Sequence, residues 1–147
     1  MTLEKGEKAF SKGRVLVVDD EPDIVEYLTT LLQENGYETE HAGDADEGML
    51  KTRGFSPHLI CMDIMMPKKT GLAMLRTLRR DPGLRQIPVM LVTAFGKTSD
   101  FSFVQLKELV AGEGMTPPDA CMEKPIDRNL FIETVGRLIG KGAEARR

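Results

Sequence analysis

A doubly wound α/β domain with a parallel sheet is the fold class this sequence predicts, on three observations. Strand-like and helix-like patterns alternate five times without interruption. The strand-like runs are short and rich in valine, isoleucine and leucine. The central ones are nearly continuous in apolar character, as strands buried on both faces of a sheet must be.

The elements follow in order. A polar lead precedes the first strand, Arg14 to Val18. Ile24, Val25, Leu28, Leu31 and Leu32 then recur at helical spacing, and Gly36 stands where a left-handed helix end would be. Tyr37 to His41 is a less apolar strand, suited to a sheet edge. Asp44 with Glu47 three residues on resembles a capping box, opening a short helix that stops near Gly54. A third strand starts at His58 and ends on Asp63. Leu72, Leu75 and Leu78 stripe the next helix, which closes at Asp81-Pro82-Gly83. Ile87 to Ala94 contains the fourth strand. Ser99 is positioned to cap a helix carrying Phe103, Val104, Leu106, Leu109 and Val110, and a loop "GEGMTPP" leads to a fifth strand, Ala120 to Glu123. Asp127 caps the last helix, whose apolar face is Leu130, Phe131, Val135, Leu138 and Ile139. The expected organisation is a flexible lead over 1–13, one domain over 14–140 and a flexible tail over 141–147.

The 147 residues suit one domain with a substantial core. A net charge of −3 with interspersed signs offers no electrostatic footprint for direct nucleic-acid binding. No apolar run has the length of a signal peptide core or a membrane span, so a cytoplasmic protein without membrane contact is the expectation. Cys61 and Cys121 fall inside strands, without C-x-x-C spacing, and read as reduced thiols.

Ligands of doubly wound sheets bind at the carboxyl ends of the strands. The first strand there offers Asp19 and Asp20, the third Asp63, the fourth Thr93 and Ala94, the fifth Lys124 followed by Pro125. Singly, each has an ordinary structural role as a cap, a strand end or a solvated charge. Jointly they form an acidic site that a divalent cation and one lysine would balance. Oxygen ligands without His or Cys favour Mg2+. A carboxylate can attack phosphorus to form an aspartyl phosphate, and a metal with a lysine would neutralise the transferring phosphoryl group.

The segments "VVDDEPD", "DIMMPKKTG", "VTA" and "KP", in this order, resemble the receiver domain of two-component response regulators over roughly Arg14 to Gly140. The resemblance implies a flavodoxin-like sheet of strand order 2-1-3-4-5. It implies that Asp63 accepts phosphate from a sensor histidine kinase or phosphotransfer protein. Asp20, Asp63 and the Met65 carbonyl would bind Mg2+ with Asp19 assisting through water, and Thr93 and Lys124 would contact phosphoryl oxygens. Met66, Pro67 and Gly71 match the family's loop after the phosphoacceptor. The domain would then alter its binding surface for a downstream protein rather than act as an enzyme on an external substrate.

Two departures bear on that last step. Receivers usually carry Tyr or Phe three residues before the lysine, where this chain has Cys121, and the interval from Thr93 to Lys124 is long. The sequence therefore predicts a switch in which the fourth helix and the "GEGMTPP" loop respond, with Phe95, Phe101 or Phe103 supplying bulk. Three other classes fit less well. A haloacid dehalogenase-type phosphatase needs D-x-D after the first strand, but Pro22 stands two after Asp20. A flavodoxin would meet phosphate repulsion from Asp19, Asp20 and Glu21. A docking scaffold that never uses its phosphate has no need of the complete acidic set.

Overall fold

The computed structural model describes residues 11–64, 71–94 and 103–145. Chain order is β1 (Arg14–Val18), α1 (Pro22–Glu34), β2 (Glu38–Ala42), α2 (Ala45–Phe55), β3 (Leu59–Met62), α3 (Gly71–Arg80), β4 (Val89–Thr93), α4 (Phe103–Gly112), β5 (Ala120–Glu123) and α5 (Arg128–Ala145). All strand pairs are parallel, in the order β2-β1-β3-β4-β5. The doubly wound class and the 2-1-3-4-5 order are both as the sequence predicts.

The apolar runs divide by strand periodicity between two cores. Val15, Val17, Leu59, Cys61, Met90 and Val92 face α1 and α5, meeting Leu28, Leu32, Phe131 and Val135. Leu16, Val18, Ile60, Met62 and Leu91 face the other way, meeting Met74, Leu75 and Leu78 of α3 and Val110 of α4. Each fully buried aliphatic side chain contributes about 1.5–3 kcal/mol of transfer free energy. Both faces of β3 are therefore dry, and its carboxyl end is held rigidly.

Local signals account for the boundaries. Asp44 caps α2 by accepting the Glu47 N–H at 2.8 Å, and Asp127 accepts the Leu130 N–H at 3.0 Å. Gly36 takes φ +91°, and Tyr37 N–H returns to Leu32 O at 3.1 Å, closing α1. β2 and β5 are the sheet edges. Ser56 rather than Gly54 holds the left-handed position after α2, at φ 51°. The tail expected from 141 is helical as far as Ala145, because α5 runs on past Gly140 behind the packing of Leu138 and Ile139. The lead is tied at its end, with Lys12 N–H donating to Gly36 O. Ser99 lies outside the described residues.

Candidate phosphoacceptor site

Parallel pairing brings the strand ends level. Val18 is registered with both Ala42 and Met62, and Thr93 with Glu123. The ladder continues one residue beyond each strand: Asp19 N–H donates to Ala42 O, Asp63 N–H to Val18 O and Lys124 N–H to Thr93 O, all at 2.9–3.0 Å. Backbone bonds thus fix Asp19, Asp63, Thr93 and Lys124 on one edge.

Their side chains converge. Thr93 Oγ1 donates to Asp63 Oδ1 at 2.8 Å, and Lys124 Nζ lies 3.2 Å from Asp63 Oδ2. The same ammonium lies 3.1 Å from Asp19 Oδ2 and 3.0 Å from Glu21 Oε1. Asp19, Asp63 and Thr93 are buried, whereas Asp20, Glu21 and Ala94 are exposed. Asp20 opens on a cleft of about 550 Å3 that reaches His41 and Glu47. The peptide bond between Lys124 and Pro125 is cis.

The backbone beside Asp63 is equally constrained. Gly71 N–H donates to Ile64 O at 2.9 Å, and a β-carbon at Gly71 would fall 2.3 Å from the Asp63 carbonyl oxygen. Only glycine allows α3 to start so close to the acidic edge.

Carboxylate oxygens of Asp19, Asp20, Glu21 and Asp63 lie within 4.8 Å of one another. Among the described residues this cluster of four carboxylates meets one ammonium, that of Lys124, so their negative charge is in excess. Burial raises the Asp19 carboxyl above its ordinary range, against the Glu21 N–H and Lys124, which pull it down. Burial pulls the Lys124 ammonium down, but its bonds to Glu21 and Asp19 and the charges of Asp63 and Asp19 outweigh that and hold it above its usual value. An all-oxygen donor set of this charge suits a hard divalent cation.

Of the residues read from the sequence, Asp19, Asp20, Asp63, Thr93 and Lys124 stand together, with one addition. Glu21 is the addition. Its acidity was visible beside Asp19 and Asp20, but its contact with Lys124 depends on the turn into α1. Met65 lies outside the described residues, as do Met66, Pro67, Phe95 and Phe101. Cys121 is registered opposite Leu91 and packs, half-buried, against the core that includes Leu91 and Val110. Burial, then the charge of Glu123, pushes its thiol up to about 11.

A five-stranded 2-1-3-4-5 sheet with carboxylates, a threonine and a lysine at the strand ends defines a class of signalling α/β domain. The family model described as the response regulator receiver domain matches residues 15–135, and the chain belongs to that family. It is 33% identical over 126 residues to the polar-differentiation response regulator DivK of Brucella anthropi, covering 86% of this chain and 95% of that one. It is 37% identical over 89 residues to the DNA-binding response regulator MtrA of Mycolicibacterium smegmatis, a match covering 60% of this chain and 38% of the relative. The chain thus spans little more than a third of that longer protein. The response regulator TrrA of Thermotoga maritima, solved in complex with Mg2+-BeF, shares 30% identity and a TM-score of 0.69, covering 85% of this chain and 97% of the other. This protein is therefore a receiver domain of the two-component signalling type. Among the described residues, no helix is long and apolar enough to cross a membrane.

Proposed function

We propose that Asp63 is the phosphoacceptor, taking a phosphoryl group from the phosphohistidine of a sensor kinase or phosphotransfer protein. The observation that carries this reading is the division of labour at its carboxylate, with Thr93 on one oxygen and Lys124 on the other. In the transfer, an Asp63 oxygen attacks phosphorus, the P–N bond breaks and the imidazole leaves with the bonding pair. Thr93 and Lys124 then move their hydrogen bonds to phosphoryl oxygens, so the charge added at Asp63 is met by groups already in place. Asp20, Asp63 and the Met65 carbonyl would hold Mg2+, with Asp19 in support. When bound, the ion would supply further neutralisation of the phosphoryl oxygens.

The same chemistry makes phosphorylation and its reversal activities of the domain itself, with small phosphodonors substituting for the kinase. The working location is the cytoplasm, where a kinase would meet the site, and the output is a changed surface for a downstream protein rather than direct nucleic-acid contact. Incubation with acetyl phosphate and Mg2+, followed by intact mass, tests the assignment. The wild-type chain gains one phosphoryl group and Asp63→Asn gains none. An unchanged gain in the variant would sink it.

A further inference from the structure

The Lys124 ammonium has three donors, and three carboxylates already take them: Asp19, Glu21 and Asp63. The lysine side chain is 11% exposed, and a fourth acceptor would have to take a donor from one of these three. Two of the three carboxylates are enclosed, with side chains 2% and 5% exposed for Asp19 and Asp63. Asp19 is further held by accepting the Glu21 N–H at 2.9 Å. The Glu21 side chain is 56% exposed. It also forgoes an alternative role: Glu21 is the N-cap of α1, yet its side chain makes no capping bond to that helix. The carboxylate is committed to Lys124 instead.

We infer that Glu21 is an internal competitor for Lys124, occupying the ammonium in the unphosphorylated domain and released when a phosphoryl group arrives on Asp63. This rests on the phosphoacceptor reading above and adds a residue that tunes it. Glu21 is a positioning residue in this scheme. Its contact lowers the affinity of the site for a phosphoryl group by the strength of the ion pair that must break. Once freed, its charge stands at the solvent-facing entrance to α1, near the helix's positive end, where an acid is favourable. Removal of the competitor therefore strengthens phosphoryl binding, whereas loss of a supporting ligand would weaken it.

Titration with beryllofluoride at saturating Mg2+, followed by calorimetry, separates the two. Glu21→Gln is expected to bind the mimic about fivefold more tightly than the wild-type chain, the upper range for an ion pair with one exposed partner. Asp23→Asn removes the same charge two residues further on, in the first turn of α1, and should leave affinity unchanged. Equal or weaker binding by Glu21→Gln overturns the inference, as does an equal gain in Asp23→Asn, which would mark a general field effect. Failure of the wild-type chain to bind the mimic at all would instead overturn the phosphoacceptor reading on which the inference rests.

Discussion

At the amino edge of the sheet one guanidinium is shared among four carbonyls and one carboxylate, whereas at the carboxyl edge one ammonium is shared among three carboxylates. Arg79, on α3, has a side chain only 3% exposed. It donates to Thr116 O, Arg85 O, Ile87 O and Pro117 O and pairs with Asp119 Oδ2 at 3.0 Å. Asp119 Oδ2 also accepts the Val89 N–H at 2.8 Å, so the first residue of β4 is tied to the residue that precedes β5. Charge there is balanced, and the partners that hold the guanidinium are mostly neutral. At the other edge negative charge exceeds positive among the described residues, and the compact ammonium of Lys124 can exchange partners. The first arrangement is saturated and resists change. The second gains from a cation or from rearrangement around a new anion, as signalling requires.

The contrast also bears on the long "GEGMTPP" loop. The single Arg76 Nε–H is shared between the two carboxylate oxygens of Glu113 at 2.9 and 3.0 Å, and Thr116 and Pro117 are held by Arg79. Two arginines one helical turn apart on α3 thus anchor this loop, while the start of α3 is pressed against the Asp63 backbone through Gly71. A phosphoryl-dependent change that reached the loop would have to move α3 with it or break these bonds.

Breaking the saturated edge is expected to give the largest effect. Arg79→Ala strands Asp119 and leaves several carbonyls without partners, which should cost about 3–5 kcal/mol of folding stability in urea. The folded fraction should keep its affinity for Mg2+ and beryllofluoride. A comparable loss of affinity in the folded protein would show the two edges to be coupled.

At the carboxyl edge the expected pattern is reversed. Ala94 is exposed next to Thr93, and Ala94→Tyr should shield the acyl phosphate from water and slow phosphate loss several-fold. Its stability should stay within about 0.5 kcal/mol of wild type. Faster hydrolysis would contradict the shielding argument. The smallest effect is expected for Arg76→Ala, since both partners of that pair are about one-third exposed. A loss of about 0.5 kcal/mol is anticipated, and urea titration beside Arg79→Ala would show whether the buried arginine dominates the anchor.

The carboxyl edge was readable in the sequence because parallel strands end level and each ends on a chemically distinctive residue. Asp19, Asp63, Thr93 and Lys124 needed only the rule that sites gather at strand ends. Arg79 is not legible in the sequence, although it follows Leu75 by four residues and so interrupts the apolar face of α3. An arginine at such a place is ordinarily taken as solvated. Its burial depends on carbonyls from two loops and on Asp119 forty positions away, which local patterning does not bring together. The extension of α5 to Ala145 is hidden for a similar reason. Gly140 and Gly142 suggest a stop, but a glycine costs only about 1 kcal/mol in a helix, and Gly142 is buried.

The two cysteines have a practical consequence. Cys61 is wholly enclosed in β3, and burial holds its thiol far above the ordinary range. Cys121 is half-buried in β5, two residues before Glu123, which is registered with Thr93. An alkylating reagent should therefore discriminate between them kinetically, entering at Cys121 while the fold is intact. Because burial pushes that thiol up to about 11, well above neutrality, the labelling rate climbs about tenfold per pH unit through neutrality and can be set by buffer alone. The chain thus carries a native attachment point for a fluorine or spin label on β5, beside the acidic edge.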